Sequence, residues 1–242
     1  MEETFRDRHR SDSEHRRLVL AAMVAAVAVV TLDTTILNVA IPTIRRDLHT
    51  GLASLQWVIA GYSLTLGSLL IIGGRLGDLF GVRRSFVAGA MLFATGSLLA
   101  SLATSTPELV LGEAVIEGIG ASLLFPASLA TLSTAFQGPA RARAFALWGG
   151  VAGAAAALGP VIGGWLTSDY SWRWGFRINV VVAPLAALAA LAALPRDARR
   201  DRPAHLDVGG ALRLGAGLFL VVFALTEAPA HGWLVNRGPG LA

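Results

Sequence analysis

Gly73-Gly74-Arg75-Leu76-Gly77-Asp78-Leu79-Phe80-Gly81-Val82-Arg83-Arg84 separates two long apolar runs, Gly51 to Ile72 and Ser85 to Ala103. A spanning helix needs about twenty mostly apolar residues, and each run is long enough. So short a connection makes the two spans antiparallel neighbours, and its glycines read as a tight, charged hairpin. Its three arginines put it on the cytoplasmic side, because cytoplasmic loops collect positive charge. The stretch therefore decides for an all-α integral membrane protein.

The rest of the chain agrees. With 54% of its residues apolar and 15% charged, it departs from an ordinary soluble domain. Seven spans are expected, at about 18–42, 52–73, 85–104, 108–133, 143–167, 175–194 and 208–228. Every basic residue is arginine, and fourteen arginines fall in the N-terminal tail and the 2–3, 4–5 and 6–7 loops, against five on the other side. That asymmetry puts the N-terminus in the cytoplasm. Arg213, at the start of span 7, snorkels inward. The basic pI invites a nucleic-acid partner, but arginines in short loops between spans are an orientation signal, so no nucleic acid is expected.

The first apolar run is too long for a signal-peptide core and contains Asp33, so it reads as a retained anchor. The absence of cysteine excludes disulfides, thiolate metal sites and cysteine nucleophiles. The five histidines lie scattered without metal-ligand spacing, so neither a metal nor a cofactor is expected. No phosphate-binding glycine loop and no nucleophile elbow occurs, so the chain does not read as an enzyme.

The expected organisation is a disordered cytoplasmic tail (1–17), a six-helix bundle (18–194), a cytoplasmic linker (195–207), an additional transmembrane helix (208–228) and an extracytoplasmic tail (229–242). Spans 1–3 and 4–6 have similar lengths and opposite starting sides, as an inverted pair of three-helix repeats would.

Three stretches carry chemistry. Leu32-Asp33-Thr34-Thr35-Ile36-Leu37-Asn38 sets a carboxylate, hydroxyls and an amide inside span 1. An acid in hydrocarbon costs several kcal/mol unless it is neutral, paired or facing water. Asp33 is thus a candidate for taking up and releasing a proton, with a structural hydrogen bond as the alternative, and Thr34 and Asn38 are candidates for a substrate cavity. Span 4 carries Glu113 and Glu117 one turn apart. At about 1.5 Å per residue, Glu117 lies near the depth of Asp33, which makes a shared mid-membrane cavity a reasonable expectation. In span 5, Gly149, Gly153, Gly159, Pro160, Gly163 and Gly164 make a stripe with little side chain, suited to close helix packing, and Pro160 removes a backbone hydrogen bond.

These stretches resemble the major facilitator superfamily, and within it the drug:proton antiporters with fourteen spans. Gly74, Leu76, Gly77, Asp78, Gly81, Arg83 and Arg84 match the superfamily's loop between helices 2 and 3, Gly-x-Leu-small-Asp-Arg-x-Gly-Arg-Arg/Lys. Leu79 and Val82 stand at its other arginine positions. The run from Leu32 to Pro42 is similar to the antiporters' Leu-Asp-x-Thr-Ile-Val-Asn-Val-Ala-x-Pro. Glu113 to Ala121 resembles Ala-Arg-Val-Leu-Gln-Gly-Ile-Gly-Ala, with Ala114 in place of the arginine linked to proton transfer and Glu117 in place of glutamine. The span 5 stripe resembles the antiporters' fifth-helix motif. Ser171 to Asn179 is similar to Ser-Trp-Arg-Trp-x-Phe-x-Ile-Asn, read as an interfacial aromatic anchor.

The resemblance implies proton-coupled efflux of amphipathic compounds by alternating access, in a bacterial-type cell membrane. It also implies proton coupling at Asp33 with Glu117 and Glu113, and a conformational latch at Gly74, Asp78, Gly81, Arg83 and Arg84. Partners would be lipid, protons and a small amphipathic substrate. The chain looks like the N-terminal half of such a transporter, a six-helix half-bundle with one extra helix, and three readings stay open. It is a truncated or split carrier, a half-size protein that dimerises, or a non-transporting scaffold, sensor or inactive remnant that keeps the fold.

Overall fold

A computed structural model of the chain describes residues 2–197 and 208–231. Seven helices follow one another, with no strand among the described residues. They are α1 (Glu2–Asp47), α2 (Leu52–Phe80), α3 (Val82–Leu102), α4 (Thr106–Ala135), α5 (Gly138–Asp169), α6 (Arg173–Ala193) and α7 (Val208–His231). The first six, α1 counted from Glu14, are long and apolar enough to cross a membrane. The seventh expected span falls on α7, which lies against α2 with Trp57 and Phe223 ring centroids 5.7 Å apart.

The packing has the symmetry of an inverted repeat. The helix α1 packs on α5 and α6, α2 on α4, and α3 on both α4 and α6. Exchanging α1 with α4, α2 with α5 and α3 with α6 turns the α1–α5 contact into α4–α2 and the α1–α6 contact into α4–α3. It leaves α3–α6 unchanged. Each triplet thus buries its faces on the other, and the all-α bundle of two three-helix repeats is the one expected.

Three expectations are corrected. The 73–84 segment is not a hairpin: α2 runs to Phe80, α3 starts at Val82, and Gly81 alone makes the turn, with φ of 99°. All of the first eight residues continue the helix because a glycine in mid-helix costs only about 1 kcal/mol. Close packing offsets that cost at the buried Gly73, where a Cβ would run into the backbone of Ser122. The polar tail, expected to be disordered, continues α1 back to Glu2; it contains no glycine or proline to stop the helix. In the expected interfacial belt, Trp172 is instead fully buried, packed edge-on against Phe176, and only Trp174 stays exposed. The expected linker lies outside the described residues from 198 onward, and the expected tail from 232 onward.

Two apolar layers form the interior. One holds Val30, Ala94, Ala121 and Ala183; the other holds Leu37, Ala100, Leu109 and Phe176. Along each of α1, α3, α4 and α6 the two layers are separated by a short interval, and a buried polar residue sits in every one: Asp33, Ser97, Glu113 with Glu117, and Asn179.

Candidate functional site

Those polar residues meet. Asp33 and Glu117, each no more than 2% exposed, are joined through Asn179. Its Nδ2 donates to Asp33 Oδ1 at 2.7 Å and to Glu117 Oε1 at 3.1 Å. The Ser97 hydroxyl also donates to Glu117 Oε1. Glu113 is fully buried beside them, and one carboxylate oxygen from each of the three acids lies within 4.8 Å of the other two. No arginine or histidine pairs with them among the described residues. Asp33 Oδ2, both Glu113 oxygens and Glu117 Oε2 are buried and accept from no neighbouring donor, and the Tyr62 hydroxyl is buried as well.

Three carboxylates at this spacing cannot all be ionised in a low-dielectric interior. Their charge is offset by bound protons or by a cation. The donor set is all oxygen, which suits protons and hard cations and gives a soft metal nothing to hold.

The backbone is shaped to bring the acids together. From Val110 to Glu117 α4 is π-helical, and Gly118 N–H returns to the Glu113 carbonyl. Such i→i+5 segments are rare and concentrate at functional sites. The widened turn lies where α3 and α4 pack closely. A Cβ on Gly96 would stand 2.6 Å from both the Gly112 carbonyl oxygen and the Glu117 nitrogen. Ala114, at the position of the resembled motif's arginine, is buried against α2: a Cβ on Gly61 would lie 2.9 Å from its own. That position holds a tight helix contact here.

The expected cavity residues bond back along α1. Thr34 bonds back to the Val30 carbonyl at 3.1 Å, and exposed Asn38 to the Thr34 carbonyl at 2.8 Å. The expected stripe on α5 is two faces. Gly159 and Gly163 pack on Thr35 and Ile36 of α1, while a Cβ on Gly149, Gly153 or Gly164 would meet nothing within 4 Å, and Pro160 beside them is exposed.

The latch residues also divide. Gly74 touches Pro126, and Asp78 pairs with Arg75 at 3.6 Å. The carboxylate seated on the α3 N-terminus belongs to Asp197, which accepts from the backbone amides of Arg83 and Arg84, both at 3.1 Å. Asp197 occupies the place where Gly81 would carry a Cβ, and the Arg83 guanidinium donates to the Leu191 carbonyl at 2.7 Å.

Sequence reasoning assigned no site role to Asn179, Ser97, Tyr62 or Asp197. The first three are polar residues inside apolar spans, a signal that was available. Asp197 carries no such mark, being one acid among the arginines of a linker.

The family model described as Major Facilitator Superfamily matches residues 23–225. The chain is 42% identical over 215 residues to the puromycin resistance protein pur8 of Streptomyces alboniger, covering 88% of this chain and 42% of that one. It is 40% identical to the tetracenomycin C resistance and export protein of Streptomyces glaucescens, covering 88% of this chain and 40% of that one. A crystal structure of a mutant peptide transporter POT in complex with sulfate superposes with a TM-score of 0.67 at 18% identity, over 93% of this chain and 47% of that one. The chain thus spans less than half the length of these relatives.

Proposed function

This chain belongs to the Major Facilitator Superfamily, and on that premise we propose that it is the ion-coupling half of a proton-driven exporter of small amphipathic toxic compounds. Its six helices long and apolar enough to span make it a multi-pass membrane protein; a bacterial cell membrane with the N-terminus inside is the placement we infer from the arginine asymmetry. Similarity to resistance and export proteins supports small-molecule export.

The observation that carries the coupling reading is the buried cluster of Asp33, Glu113, Glu117 and Asn179. Held between two apolar layers, it keeps its charge offset by protons in one state of the carrier. As substrate leaves outward, the acids take up protons from the outer side; on return they release them inward. With Ala114 in place of a basic residue, protons do the work that a fixed arginine charge would do. Alternating access needs a second helical half rocking against this one. The open Gly149, Gly153 and Gly164 face of α5 is where we seat that half, whether it lies on the same polypeptide or on another.

The test is proton-gradient-driven dye accumulation in everted vesicles carrying the chain together with its second half. Asp33→Asn is expected to cut the gradient-dependent rate by roughly tenfold or more, the scale of losing a group essential to proton transfer. An unchanged rate sinks the assignment of Asp33.

A further inference from the structure

At the end of the bundle where α2 turns into α3 and α6 stops, a cavity of about 460 Å³ opens between α3 and α6. Arg83, Arg84 and Arg196 line its polar end. Asp197 is also there, but its carboxylate is already held by two backbone amides. Among the described residues three guanidiniums therefore face a single, engaged acid, and the excess is positive. Arg84 and Arg196 are exposed, and neither guanidinium has a partner among the described residues. Arg83 spends one nitrogen on the Leu191 carbonyl, while its Nε–H is buried with no acceptor. A buried, unanswered donor beside two open guanidiniums is half of an oxyanion site.

The other wall is apolar. Val87 and Ala88 lie one turn beyond Arg83 and Arg84 on α3, about 6 Å deeper along the helix at 1.5 Å per residue. Leu191 faces them from α6, 42% exposed. From guanidinium to hydrocarbon, the cavity changes character over the depth at which a phospholipid changes from phosphate to acyl chain. A free phosphate matches the polar end only. Basic pockets between transmembrane helices near a membrane surface hold acidic headgroups on these terms.

We propose that this cavity binds one anionic phospholipid, its phosphate held by Arg83, Arg84 and Arg196 and its chains lying along Val87, Ala88 and Leu191. The bound lipid would tie the start of α3 to the end of α6 beside the Asp197 clasp.

Native mass spectrometry of the purified chain, exchanged into detergent with equal phosphatidylglycerol and phosphatidylcholine, tests this directly. Wild type is expected to retain one phosphatidylglycerol in preference to phosphatidylcholine. The Arg84→Gln/Arg196→Gln double variant is expected to lose that preference by roughly tenfold or more, as two arginines' worth of attraction implies. Both side chains are exposed, and circular dichroism confirms that the variant folds. An Arg141→Gln/Arg143→Gln control, with arginines changed at the start of α5, is expected to keep the preference. Equal retention of the two lipids by wild type overturns the proposal, as does a preference that survives the first variant or is lost equally in the control. Displacement of phosphatidylglycerol by an equal concentration of inorganic phosphate overturns it in favour of a free-anion site.

Discussion

Asn179 holds the acid cluster together with one amide nitrogen shared between two carboxylates. Replacing it by leucine keeps the volume and removes the donor, leaving Asp33 and Glu117 facing each other without a bridge. Glu117 Oε1 keeps the Ser97 hydroxyl, but Asp33 Oδ1 loses its donor, and a buried acceptor left so costs about 1–3 kcal/mol. Asn179→Leu is therefore expected to lower the thermal midpoint of the chain in detergent by several degrees, and an Asp33→Asn change in the same background to restore part of the loss. A midpoint unmoved by Asn179→Leu would mean that the amide holds nothing. At this scale the sequence was half legible. An acid within an apolar span announces itself by the energy it costs, so Asp33, Glu113 and Glu117 stood out. Asn179 and Ser97 cost less to bury and occur as ordinary hydrogen bonders, and their roles needed the helices to be brought together.

Between elements, contact is set by glycines whose neighbours leave no space. Gly96 lets α3 approach the π-helical turn of α4 at the level of the acids, and a β-branched side chain there would separate the helices and shift Glu117. Gly96→Val is expected to destabilise the chain by several kcal/mol, as overpacking against backbone does. Gly153→Val on the open face, with nothing within 4 Å, is expected to stay within about 1 kcal/mol. Similar losses in thermal melts of the two variants would contradict this account of α5. The turn at Gly81 makes a second case. Its φ of 99° and the Asp197 carboxylate beside it belong to one clasp. Gly81→Ala and Asp197→Ala are accordingly expected to be non-additive in a double-mutant cycle of thermal stability. Additive losses would show two independent features. The periodicity of the sequence located both spans here but misread the segment joining them. Glycines and charges that look like a hairpin can also be a helix with close neighbours, and only packing distinguishes the two.

For the whole molecule, the inverted relation between α1–α3 and α4–α6 was suggested by span lengths and opposite starting sides, and the packing carries it. The chain has no cysteine, so single introduced ones report without ambiguity. Gly149→Cys and Gly153→Cys are expected to cross-link to a second half, whereas a cysteine at Gly159, packed on Thr35, is expected not to. Cross-linking at Gly159 alone would place the interface on the wrong face of α5.

The three buried acids are expected to carry exchangeable protons, and infrared difference spectroscopy of the purified chain across a pH step detects them. The account predicts a protonated-carboxyl band that changes with pH, diminishes in Asp33→Asn and disappears when Glu113→Gln and Glu117→Gln are added. A pH-dependent carboxyl band that persists in the triple variant, or its absence from wild type, would contradict the account.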